Sequence, residues 1–79
     1  MQVYFKKFDL IIDVTKGYFY IVKINQVSKE NPDGITLYYV SFGNGNINQR
    51  VSELYKAVKE AQIDLEYISS KLNCVEIER

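Results

Sequence analysis

Phe8, Leu10, Ile12 and Val14 alternate with Asp9, Ile11 and Asp13, a period of two that predicts a strand over residues 8–14. Thr15-Lys16-Gly17 follows as a three-residue reversal ending in glycine. Tyr18 to Val27 is rich in β-branched and aromatic residues and reads as a second strand. Asn31-Pro32-Asp33-Gly34 has proline and glycine where a type I turn wants them, so Ile35 to Phe42 reads as a third.

These turns predict a register. Val14 set opposite Tyr18, and Asn31 opposite Ile35, gathers the even-numbered residues of 8–14 and 18–24 on one face. Tyr38, Val40 and Phe42 join them, which makes this the expected core side. Asp9 would then face Lys23 as a cross-strand charge pair. The other face collects Phe5, Val27, Ile35, Leu37 and Tyr39 towards one end and Ile11, Phe19 and Ile21 towards the other. A meander covered by one helix should leave that face polar, yet half of it is apolar. A contiguous apolar patch on a small chain marks an interface, unless the chain covers the patch itself.

The period changes after residue 46. Ile47, Val51, Leu54, Val58, Ala61, Leu65, Ile68 and Leu72 recur at spacings of four and three, which predicts helix from about Ile47 to Asn73. Asn46, with Gln49 three residues on, suits an N-cap. The stretch is either one helix or two broken near Gln62-Ile63-Asp64, and packing on its own sheet is a better account of its spacing than a coiled-coil seam. Val75-Glu76-Ile77-Glu78 alternates and offers a fourth, edge strand. The expected fold is a single α+β domain over residues 1–79: a three-stranded antiparallel meander, with that optional fourth strand, packed by one long or two short C-terminal helices.

Composition narrows the function. In 79 residues, ten basic and ten acidic side chains cancel, so no polyelectrolyte surface for phosphates is implied. One cysteine, Cys74, excludes an internal disulfide and fits a reducing compartment. The first residues show no basic-then-apolar leader, and the longest apolar runs fall far short of a membrane span. A cytoplasmic location is therefore expected.

Candidate chemistry is sparse. There is no histidine, and Cys74 has neither companion ligands for a metal nor the usual base for a nucleophile. Asp9 and Asp13 are about 13 Å apart on an extended strand, too far to act as a pair. Glu60 and Asp64 lie near Lys56 and Lys59 and read as a solvated helix face. Gly43-Asn44-Gly45-Asn46 sits where a phosphate loop would, but Asn48 replaces the third glycine and no βαβ unit surrounds it. Nine of the 11 aromatics lie in the strand region among Lys6, Lys7, Lys16 and Lys23, which keeps single-stranded nucleic acid as the alternative partner. The sequence is best read as a non-enzymatic protein-binding module without cofactor, a small regulator or inhibitor that occludes a protein partner and forms a homodimer. Its candidate contact residues are Phe5, Ile11, Phe19, Ile21, Lys23, Leu37 and Tyr39.

Overall fold

A computed structural model of the chain describes residues 1–44 and 46–77, with side chains through Leu72. The architecture is α+β: a two-stranded and a three-stranded antiparallel sheet, followed by one helix.

The first hairpin forms earlier in the chain than the alternation from Phe8 suggests. Strand β1 (Gln2–Phe5) pairs with β2 (Leu10–Asp13), Val3 opposite Ile12 and Phe5 opposite Leu10. Val3 and Phe5 point inwards while Gln2 and Tyr4 are exposed, so the period-two signal extends back through the N-terminal residues. Asp9 takes a left-handed conformation (φ 53°), which aspartate tolerates, and its carboxylate accepts from the Tyr4 hydroxyl at 3.0 Å. That bond holds the Tyr4 hydroxyl above its ordinary pKa. The expected Asp9–Lys23 pair is thereby absent, and Lys23 lies opposite Tyr38 instead.

Residues Val14–Lys16 form a 3₁₀ turn instead of a tight hairpin, so β2 does not pair with the next strand. The cause is Asp13, whose carboxylate accepts from both the backbone N–H and the hydroxyl of Thr15, at 3.1 and 2.6 Å. These bonds satisfy the start of the turn locally. They also hold the Asp13 carboxyl well below the usual carboxylate range, the Thr15 hydroxyl contributing most.

Strands β3 (Tyr18–Gln26) and β4 (Ile35–Gly43) form a long hairpin near their expected bounds. Their register differs from the expected one. Tyr18 faces Gly43, Ile21 faces Val40 and Gln26 faces Ile35, so even positions on β3 oppose odd positions on β4. The reason is the loop. Ser28 and Asn31 exchange backbone bonds at 3.2 Å, and the Gly34 N–H donates to the Asn31 carbonyl at 2.9 Å. The chain closes an eight-residue loop over 27–34, and the ladder begins only at Gln26–Ile35. An odd change in register exchanges the two faces of one strand.

The expected helix start at Asn46 is also replaced. The Asn44 side chain accepts from the N–H groups of Asn46 and Ile47, turning the chain back along β4. Asn48–Arg50 becomes β5, pairing with Ser41–Gly43. Residues 51–55 continue along the same edge, where the Val51 N–H donates to the Val40 carbonyl and Tyr38 and Tyr55 form an isolated bridge. The resulting meander is β3-β4-β5. Helix α1 (Val58–Ile77) then runs unbroken through Gln62–Asp64. Val75, Glu76 and Ile77 belong to it instead of an edge strand, and Glu78 lies outside the described residues.

One core joins both sheets and the helix. Val3, Phe5 and Ile12 meet Val40, Phe42 and Val51 under Ala61 and Ile68, with Phe19, Ile21, Tyr38 and Leu65 packed around them. The Phe5 ring, fully buried, meets Phe19 edge-on at 5.6 Å, and Phe19 contacts Phe42 at 4.7 Å.

Candidate functional site

Side chains alternate across a strand, so the core-facing row of β3 and β4 defines its opposite. Phe19, Ile21, Tyr38, Val40 and Phe42 face the core. Tyr18, Tyr20, Val22 and Ile24 therefore share the second face with Leu37, Tyr39 and Ser41. None of these seven belongs to the packed cluster, and α1, β1 and β2 contribute to that cluster on the other side. Tyr18 is 60% exposed, whereas Tyr20, Val22, Ile24 and Tyr39 are half-buried. Leu37, on the central strand, is the buried floor of the patch.

The tyrosine end of this face has defined geometry. The Tyr18 and Tyr20 rings lie 5.3 Å apart, and the Tyr20 hydroxyl donates to the Asn48 side-chain oxygen on β5. Arg50 stands beside Ser41 at the rim. Tyr18 also borders a cleft of about 500 Å³ with Val14, Phe19, Leu65 and Leu72 on its walls.

The residues expected to form one patch are distributed over three environments. Phe5, Phe19 and Ile21 are part of the core or packed against it. Leu37 and Tyr39 lie on the second face. Ile11 is 64% exposed on β2, and Lys23 is exposed beyond the core on β3. Tyr18, Tyr20, Val22 and Ile24 take the places given to Phe19 and Ile21. The strand composition held no signal for this exchange, because it depends on an odd or even loop closure.

A second constellation resembles chemistry more closely. Asp64 is 1% exposed on α1, accepts from the Tyr55 hydroxyl at 2.5 Å and forms an ion pair with the Lys7 ammonium. Burial, followed by the Asp64 bond, pushes the Tyr55 hydroxyl up to about 12. Lys7 also lies over the Tyr67 ring at 5.6 Å, and its backbone N–H donates to the Tyr67 hydroxyl at 3.3 Å. The expected solvated Glu60–Asp64 face is thus corrected: Asp64 is a buried clamp between the helix, the 51–55 segment and the β1–β2 turn. Both Asp64 oxygens are engaged by these partners, which suits a fastening more than proton transfer.

The Gly43–Asn46 segment leads into β5 and not into a helix, so it has no helix N-terminus to present to a phosphate. Gly45 lies outside the described residues. Among the described residues no group of three metal-ligating side chains occurs, and no helix is long and apolar enough to cross a membrane. No family model, curated protein or solved structure matches the chain.

Proposed function

We propose that the chain is a non-enzymatic protein-binding module, a small regulator or inhibitor that occupies a partner's surface with the second face of its β3-β4-β5 sheet. One observation carries this reading. Tyr18, Tyr20, Val22, Ile24, Leu37 and Tyr39 are contiguous across two paired strands and carry no charge. A continuous apolar patch of this kind favours a protein surface, with tyrosines as anchors of low conformational cost.

Single-stranded nucleic acid is the second reading, favoured by the tyrosines gathered on one sheet face. It ranks lower because β3 and β4 supply no cation to that face, Arg50 of β5 stands only at its rim, and Lys7 is already paired with Asp64.

The test is affinity capture from the native host with the wild-type chain and a Val22→Asp, Ile24→Asp double variant. A specific protein retained by the first and lost by the second, with circular dichroism unchanged, is the expected result. Equal capture by both, or a salt-sensitive oligonucleotide complex in place of a protein, would overturn the reading.

A further inference from the structure

Strand β3 has one neighbour. The sheet order β3-β4-β5 leaves its outer edge unpaired, because Val14–Lys16 turns β2 away. It is nine residues long, where the other strands with an open edge run three or four. Natural edges are kept short, interrupted by proline or crowded with charge. This one has no proline and a single charge, Lys23. None of its residues is buried, whereas five of the nine on β4 are.

The backbone groups on that edge follow from the bonding of β4. Tyr38 exchanges both backbone bonds with Tyr55, and the Val40 carbonyl accepts from Val51, so even positions of β4 bond towards β5. Odd positions of β4 then bond to β3, and their partners there are Tyr18, Tyr20, Val22, Ile24 and Gln26. Phe19, Ile21, Lys23 and Asn25 therefore aim their N–H and C=O groups outward. Among the described residues no other backbone hydrogen bond reaches them. An open ladder of this kind is satisfied by an extended backbone.

Two further features say what that backbone carries. The cleft of about 500 Å³ lies at the start of the edge, lined by Val14, Tyr18 and Phe19 and by Leu65, Ile68 and Leu72 of α1, with no β4 or β5 residue among its described walls. Lys23, four residues along, is exposed and forms no ion pair among the described residues. By strand alternation it stands on the same side of the sheet as Phe19 and Ile21.

We propose that β3 takes an extended segment of a partner protein as an added antiparallel strand, recognised by the pattern acidic-x-apolar-x-apolar. Opposed side chains in an antiparallel ladder share a face. The partner residue opposite Phe19 enters the cleft and is a large apolar one, the residue opposite Ile21 is apolar beside a half-buried side chain, and the residue opposite Lys23 is acidic. A second copy of β3 suits the edge less well, since its own Lys23 would arrive on the same stretch of ladder as like charge. The site is the edge of the sheet and not its second face, so it stands or falls apart from the use proposed for that face.

The experiment is an amide NMR titration of the purified full chain with an acetylated, amidated heptapeptide, Thr-Thr-Glu-Thr-Val-Thr-Leu, to about 2 mM. Its glutamate, valine and leucine fall opposite Lys23, Ile21 and Phe19. The expected result is downfield movement of the Phe19, Ile21, Lys23 and Asn25 amides, with little at Tyr20, Val22 and Ile24, whose N–H groups already bond to β4. N-methylating the valine, whose N–H bonds to Ile21, should abolish binding. N-methylating the threonine before it, whose N–H points away, should leave binding intact. Exchanging the glutamate for lysine should weaken binding by about fivefold, and Lys23→Glu should reverse that preference. No shift, equal binding by both methylated peptides, or a charge preference unmoved by Lys23→Glu overturns the proposal. So do edge amides already protected from exchange in the chain alone at a mass above 9.2 kDa, because a second copy then holds the edge.

Discussion

At the residue scale, Asp64 is the least expected feature of the molecule. It stands three residues after Ala61 and four before Ile68, on their side of the helix, but an acidic residue beside Glu60, Lys56 and Lys59 reads as solvated. What buries it is the meeting of Lys7 and Tyr55, 57 and nine residues away respectively. A buried carboxylate is tolerated when hydrogen-bonded and paired, and both conditions are met here. Tyr55→Phe should cost about 1.5–3 kcal/mol at neutral pH, the range of a hydrogen bond to a charged group. The pH dependence has a definite sign. The Tyr55 hydroxyl is raised from 10.0 to about 12, so its stabilisation is complete below pH 10 and lost as pH rises through 12. Urea unfolding should therefore show the wild-type advantage over Tyr55→Phe shrinking across that window. An advantage that stays constant would mean that Tyr55 does not hold Asp64 through its proton.

At the element scale, β3 and β4 were legible because β-branched and aromatic residues dominate both and a turn signal separates them. Their pairing was not. Asn31-Pro32-Asp33-Gly34 does turn the chain, but Ser28 and Asn31 bond to each other first and lengthen the loop. Gly34 sits at φ 91°, and a β-carbon there would collide with the Asn25 side chain across the hairpin. Gly34→Ala should therefore destabilise the hairpin by about 1 kcal/mol or more, through left-handed strain plus the clash. Hydrogen exchange would show this as faster opening of the amides nearest the Gln26–Ile35 end of the ladder, with α1 unaffected. Unchanged protection there would mean that the loop does not set the register.

The helix start failed for a related reason. Ile47, Val51 and Leu54 fit helical spacing as well as they fit an extended segment, and local propensity does not separate the two. The unpaired edge of β4 separates them, since extending 48–55 along it satisfies backbone groups that a helix would leave open to solvent.

At the scale of the whole molecule, two small sheets and one helix share a single hydrophobic core, so none is stable by itself. Phe5 stands at the junction: it lies on β1, is fully buried and touches Phe19 of β3. Phe5→Ala should cost about 3–5 kcal/mol, a large part of the stability of a domain this size. The loss should fall on both sheets together. Tyrosine fluorescence and far-ultraviolet circular dichroism should then give one coincident, shifted transition, and two separated transitions would show that the β1–β2 hairpin folds apart from the rest.

The sequence by itself determined the α+β class, the two long strands, helix over residues 58–73 and the uncharged character of Tyr18, Tyr20, Val22 and Ile24, which its register set on the core side. All of these follow from local composition and period, which act over a few residues at a time. Only the tertiary structure decided that this row faces outward, that 48–55 extends along β4, and that Asp64 lies inside. Each of those outcomes turns on a contact between residues distant in the chain: the parity of a loop closure, the hydrogen-bonding demand of a sheet edge, and the arrival of Lys7 at a buried carboxylate. Such contacts leave no mark on the local pattern, which is why the apolar face was legible as a property of the chain and its residues were not.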